Sequence, residues 1–315
     1  MAPPPGREGR MDILMVVIGL ALLLGGGEGL VRGGVALATR MRLPMAVVGA
    51  VVLGFGTSMP EMLTSVSAAL AGAPGIAIGN VLGSNIANIL LILGLAALIA
   101  PVTAEAAGVE DRIWLILATI MGIGVILVGV TVGRVEGAIL LAALALYIWR
   151  QLGRDGSAEL VPEIVMGVAP MLLYILGGLA TLIAGAWLLV EGASGIARAI
   201  GISETVIGLT VVAVGTSLPE LATSIIAARR GEAGLALGNI LGSNVFNILA
   251  ILGLTAVIVP IPVPAALSIV DLALVAGSVA LLLLFLATGR IGRGAGAGFL
   301  AVYAGYIGWL ALSSA

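Results

Sequence analysis

The sequence predicts an all-α polytopic membrane protein: ten transmembrane helices arranged as two inverted-topology five-helix repeats. Three observations carry that expectation. Mean hydropathy over the 315 residues is +1.25, and only 10% are charged, where a soluble domain has roughly a quarter charged. The apolar runs are about 20 residues long, the length that crosses hydrocarbon as a helix, rather than the alternating ten-residue strands of a barrel. Finally, a set of polar residues returns 159 residues later: Thr57 as Thr216, Glu61 as Glu220, Ser84 as Ser243 and Asn88 as Asn247.

Composition removes several classes of chemistry. The chain has no Cys and no His, so zinc sites, disulfides, thiol nucleophiles and a histidine base are not expected. Its 14 basic residues are all arginine and its net charge is −2, which leaves no basic footprint for nucleic acid. No cofactor, enzymatic activity or protein partner is expected; the lipid bilayer is the surroundings.

The chain opens with a polar, Pro-rich tail, 1–11, or with an over-long start if Met11 is the first residue. A cleavable signal peptide is not expected, since no small-residue cleavage site follows the first apolar run. Ten apolar segments follow, at 12–31, 44–70, 76–99, 112–131, 135–149, 167–190, 204–228, 234–259, 268–288 and 295–312. The first five-helix repeat occupies 12–150, a cytoplasmic linker 151–166, and the second repeat 167–315. Their motif regions span 54–95 and 213–254. Beyond the motifs, Thr64-Ser65 matches Thr223-Ser224, Arg134 matches Arg293 and Tyr147 matches Tyr306. Five is odd, so the second repeat enters the membrane from the opposite side. Ten arginines follow odd-numbered segments: 32, 40, 42, 112, 150, 154, 229, 230, 290 and 293. Four, at 7, 10, 134 and 198, lie on the other side. By the positive-inside rule both termini are outside and the linker is in the cytoplasm of a cell inner membrane.

Segments 2 and 7 carry Gly-Thr-Ser-x-Pro-Glu. Pro60 and Pro219 lack an N–H and clash with the carbonyl four residues back, and Gly56 and Gly215 weaken the same turn. The helices should break just before Glu61 and Glu220 and free backbone carbonyls there. A structural carboxylate is the plainer reading of each acid, and an ordinary kink of each Gly and Pro. Duplication of the whole set in fixed register favours function, because an acid at membrane depth is costly without a partner. Thr57, Ser58 and Glu61, with Thr216, Ser217 and Glu220, form a hard-oxygen set suited to Ca2+, Na+ or Mn2+.

Segments 3 and 8 carry Gly-Asn-x-x-Gly-Ser-Asn-x-x-Asn. Ser84 and Asn88 share a helical face, as do Ser243 and Asn247, and these four are candidate ligands. Asn80, Asn85, Asn239 and Asn244 are read as packing or capping residues, the usual role of a buried amide between membrane helices. Glu28 and Arg32, one turn apart, can pair. Tyr147, Trp149, Tyr306 and Trp309 read as anchors at the membrane interface.

The paired motifs resemble the α-repeats of the calcium/cation antiporter superfamily, and the sequence looks most similar to prokaryotic sodium/calcium exchangers. The resemblance covers all ten segments. It implies a central site with one Ca2+ position and neighbouring Na+ positions. Glu61 and Glu220 would be the central Ca2+ ligands, with Thr57, Ser58, Thr216, Ser217, Ser84 and Ser243 adding oxygens and Gly54 and Val214 adding backbone carbonyls. Asn88 matches the family's amide, and Asn247 departs from members that carry Asp there. The implied activity is export of Ca2+ in exchange for Na+ by alternating access. H+/Ca2+ exchange is the nearest alternative, followed by a cation channel. An intramembrane enzyme is disfavoured, because catalytic acids need different environments and the two halves are near-copies.

Overall fold

The computed structural model describes residues 7–103, 107–154, 166–201, 213–264 and 267–313. Its helices are α1 (Arg7–Met41), α2 (Met45–Thr57), α3 (Met59–Leu70), α4 (Pro74–Ile99), α5 (Val109–Val128), α6 (Arg134–Leu152), α7 (Val168–Ala199), α8 (Ala213–Gly215), α9 (Leu218–Arg229), α10 (Ala233–Ile258), α11 (Ile269–Ala287) and α12 (Arg293–Ser313). Among the described residues seven helices are long and apolar enough to cross a membrane, or eight when the bent pair α2–α3 is one span. The N-terminal part of the expected segment 204–228 lies outside the described residues, as does most of the expected linker.

Local chemistry sets the ends. Three helices begin with an acid at the third position that accepts the backbone N–H before the helix: Asp111 from Gly108 at 2.9 Å, Glu136 from Gly133 at 3.0 Å and Asp271 from Ser268 at 3.1 Å. This satisfies an orphan donor and places negative charge at the positive helix end. The turns α3–α4 and α9–α10 match. Gly72 and Gly231 have φ of +73° and +79°, a conformation that favours glycine. Ala73 N–H bonds Ala68 O and Glu232 N–H bonds Ala227 O, each at 2.9 Å, the Schellman closure of a helix end.

Packing repeats across the 159-residue offset. α1 lies along α7 through Gly26 against Gly178, where a methyl added to Gly26 would sit 2.8 Å from Gly178 O. α4 crosses α12 at Gly94 and Gly296, and α10 crosses α6 at Gly253 and Gly137. Small residues at such crossings let backbones approach where no hydrophobic drive exists. Two short antiparallel ladders also join the halves: β1 (Val102–Thr103) with β4 (Arg290–Ile291), and β2 (Thr131–Val132) with β3 (Ile261–Pro262). Beside them, Arg134 Nε donates to Val257 O and Arg293 Nε to Leu98 O, both at 3.1 Å. Each arginine binds a carbonyl at the end of a helix in the other half. α4 and α10 sit at the centre, with Ile89, Leu90, Ile92, Leu93, Leu249 and Ile251 in the core.

Three expectations change. The sixth segment, expected to end at 190, continues as α7 to Ala199. The first helix runs to Met41, not to 31, so Arg32 is helical. It pairs with Glu28 at 2.8 Å, and Glu28 also pairs with Arg230 from the end of α9. Tyr147 is not an interface anchor: it is 2% exposed and packs on Trp114 at 5.4 Å and Phe246 at 6.1 Å. Burial of a large aromatic against two others outweighs its amphipathic tip. Trp149, on the same helix, is 68% exposed.

Candidate functional site

The helix breaks where the proline requires it. α2 and α3 meet at 43° around Ser58, with φ −82° and ψ 7°. Ser217, before α9, has φ −90° and ψ 9°, so the two breaks share one geometry. Pro60 and Pro219 fall in the first turn of the following helix, where their missing N–H costs nothing. The third residue of each is the glutamate. Glu61 and Glu220 are each 1% exposed, and each has the N-terminal end of its helix, with its positive dipole, beneath it.

The carboxylates are held across the repeats. Ser217 Oγ donates to Glu61 Oε1 and Ser58 Oγ to Glu220 Oε1, both at 2.9 Å. A second pair of braces fixes the backbone under each acid. Asn80 Nδ2 donates to Glu61 O at 3.0 Å and Ser65 Oγ at 2.9 Å. Asn239 Nδ2 donates to Glu220 O at 3.5 Å and Ser224 Oγ at 2.9 Å.

α4 and α10 close the site from the other side. Ser84, Asn88, Ser243 and Asn247 are all buried. Asn88 and Asn247 each open a π turn, Asn88–Leu93 and Asn247–Leu252, a local widening found often at functional sites. Ser243 Oγ donates to Gly54 O at 3.3 Å. Thr57 is buried and donates to Leu53 O at 2.9 Å, with Asn239 Oδ1 at 3.4 Å. Thr216 is half-buried at the matching break. The Gly54 and Val214 carbonyls each already accept a backbone N–H, from Ser58 at 3.3 Å and Ser217 at 3.1 Å. The Val214 carbonyl keeps a second lone pair, whereas the Gly54 carbonyl accepts the Ser243 hydroxyl with its second.

Several buried oxygens have no hydrogen-bond partner among the described residues: Glu61 Oε2, Glu220 Oε2, Asn88 Oδ1 and Asn247 Oδ1. Native interiors rarely leave such atoms unmatched. Two carboxylates with neutral oxygens around them are the ligand set of a hard cation. Among the described residues no group of three His, Cys, Asp or Glu side chains forms a denser metal site. The sequence reading missed Ser65 and Ser224 as supports for the acids. Their signal was present, since both lie in the duplicated Thr-Ser pairs one turn after Glu61 and Glu220. The π turns left no compositional signal.

Fold and site together define a polytopic membrane protein built around a buried, duplicated, oxygen-lined site. The profile of the sodium/calcium exchanger protein family matches residues 11–153 and again 170–312, and the chain belongs to that family, within the calcium/cation antiporter superfamily. It is similar to the putative antiporter CaxA of Alkalimonas amylolytica, 38% identical over 89% of this chain and 91% of that protein. It is also similar to the sodium/calcium exchanger MaX1 of Methanosarcina acetivorans, 29% identical over 80% and 85%. Among solved structures, the sodium-calcium exchanger NCX_Mj soaked with Na+ and Sr2+ superposes with a TM-score of 0.82 at 36% identity, covering 95% of this chain and 98% of that one.

Proposed function

We propose that this chain is a secondary active antiporter that exchanges Ca2+ for Na+ across the cytoplasmic membrane by alternating access. The carrying observation is the reciprocal pair. Glu61 and Glu220, one from each repeat, are each fixed through one oxygen by the other repeat's serine and keep the second oxygen unpartnered. Two carboxylates balance one Ca2+ in a dehydrated site, and Na+ ions competing for the same oxygens balance the same charge. Either ion set excludes the other, which couples the two fluxes. Thr57, Ser58, Thr216, Ser217, Ser84, Asn88, Ser243 and Asn247, with the carbonyls of Gly54 and Val214, complete the ligand shell.

The same proposal includes ten membrane-spanning helices in two inverted halves, 12–150 and 167–315, with broken helices at 44–70 and 204–228. The two separate matches to one family profile support it, as do the reciprocal arginines and crossed ladders. The arginine asymmetry supports termini outside and the linker in the cytoplasm.

The test is Ca2+ uptake into proteoliposomes with Na+ and pH gradients imposed separately. An outward Na+ gradient should drive uptake, and a pH gradient alone should not. Uptake driven by pH with Na+ silent would replace sodium by protons as the counter-ion. Uptake with no coupling to either would make the protein a channel.

A further inference from the structure

The two ends of this duplicated fold differ in charge. At one end Arg32, Arg40 and Arg42, on α1 and just after it, and Arg229 and Arg230, at the end of α9, are all exposed. Their mates at the 159-residue offset are Glu191, Ala199, Gly201, Leu70 and Ala71. The same helices thus form and end without an arginine at any of the five positions. We propose that the arginine-bearing end binds the headgroup of an anionic phospholipid, seated between the C-terminal end of α1 and the turn that joins α9 to α10.

Three stretches of chain bring the arginines together. Glu28 accepts from Arg32 and from Arg230, each at 2.8 Å, which ties α1 to the end of α9. The α9–α10 turn packs in its turn on the chain that follows Arg42, where a methyl added to Gly234 would sit 3.0 Å from Met45 Cβ. Glu28 and Glu232 are the acids of these stretches, so positive charge is in excess. Glu28 engages two of the five guanidinium groups. Arg40, Arg42 and Arg229 make no side-chain hydrogen bond or ion pair among the described residues. A guanidinium presents paired N–H donors that match two phosphate oxygens, and basic pockets at the ends of membrane helices hold lipid headgroups in this way. Met41, exposed between Arg40 and Arg42, offers an apolar contact for the acyl chain.

Arg42 shows that position matters as well as number. It is the one non-glycine residue with a positive φ among the described residues, at +54°, and its mate Gly201 has φ +86°. An L side chain is strained there and glycine is not. The orientation of the chain in the membrane is served by an arginine at any nearby position, so it does not account for one placed in a glycine's conformation. A headgroup gripped by several guanidinium groups does.

The experiment adds dioleoyl phosphatidylglycerol, or dioleoyl phosphatidylcholine as the zwitterionic control, to the purified full chain in an uncharged detergent. Melting temperature reads the stabilisation, and native mass spectrometry counts the lipid retained. Phosphatidylglycerol should be retained and should raise melting; phosphatidylcholine should do neither. Arg42→Gly should hold or raise the melting temperature without lipid, because relief of the strain offsets the added freedom of the unfolded chain. It should nevertheless weaken phosphatidylglycerol binding about fivefold, the worth of one arginine at an anionic surface. Arg229→Gln, which relieves no strain, should weaken binding by a similar factor. Arg150→Gln removes the same charge from the end of α6, where Arg150 pairs with Glu110 at 3.0 Å, and should change phosphatidylglycerol binding by less than about twofold. Equal losses from Arg150→Gln and Arg42→Gly would show a general effect of charge and overturn the site. Equal binding of the two lipids would also overturn it, as would inorganic phosphate that raises melting as much as phosphatidylglycerol, the mark of a free-anion site.

Discussion

Gly54 is a point of backbone-to-backbone approach between α2 and α10, and an alanine there should cost stability and transport together. A methyl on Gly54 would lie 2.9 Å from Ser243 N, 3.1 Å from Gly242 C and 3.3 Å from Asn239 O. Ordinary contact begins near 3.4 Å, so the two helices must part by about 0.5 Å. All three neighbours are backbone atoms, and no side chain can swing aside. Overpacking of this kind costs ~1–3 kcal/mol, while replacing a helical glycine returns ~0.5–1 kcal/mol. The net loss is roughly 0–2.5 kcal/mol, centred a little above 1 kcal/mol. The displaced backbone carries Asn239 and Ser243, and the Ser243–Gly54 bond of 3.3 Å lengthens with it. A shift of this size in the ligand shell should slow exchange by about tenfold. The assay pairs thermal unfolding in detergent with Na+-driven Ca2+ uptake in proteoliposomes. Gly277→Ala is the control: a methyl there meets nothing within 4 Å, so melting should hold or rise. A Gly54→Ala protein that melts and transports like the parent would refute the reasoning.

Four further outcomes are expected. Glu61→Gln or Glu220→Gln should abolish Ca2+ transport while the protein still elutes as a folded species, because each removes half the neutralising charge; full-rate flux in either would remove that acid from the site. Reporters fused after Ala315 and inserted near Asp155 should read periplasmic and cytoplasmic respectively, and the reverse pattern would invert the orientation. Arg154→Ala strips a 2.6 Å ion pair from Asp111, whose side chain is 4% exposed; it should lower stability by about 1.5–3 kcal/mol, read as a drop in melting temperature without loss of ion selectivity. Arg134→Gln and Arg293→Gln each break the same bond in opposite halves, so their melting shifts should agree within error.

Much of this molecule was legible in its sequence because the signals were strong and local. Pro60 and Pro219 announce the breaks, and the structure bends at Ser58. The apolar runs announce the helices to within a few residues for α4, α5 and α10. The failures have one cause, tertiary contact overriding local composition. Residues 25–34 are mostly glycine with Glu28 and Arg32 among them, so the apolar run fades and the expected segment ends at 31. They are helical because Gly26 packs on α7 and Gly27 on Ile226 of α9, while Glu28 takes two arginines. Tyr147 looks like an interface residue until Phe246 from the other half closes over it. The site residues were visible as duplicated polar types. Which serine holds which glutamate was not, since the bonds join positions 156 and 162 residues apart.

The crossed ladders have a consequence for synthesis. β1 finds its partner only in β4, and β2 only in β3; Arg134 finds Val257, and Leu98 waits for Arg293. A ribosome delivers α1 to α6 well before β4 and α12 exist. During that interval the nascent half holds unpaired strand edges and a bare arginine, tolerable at the water–lipid boundary and not within hydrocarbon. Segments made much later are therefore the ones that close the first half. Removal of β4 and α12 should damage the N-terminal half as much as its own, and quality control that inspects only the early helices would see an unfinished protein until they emerge.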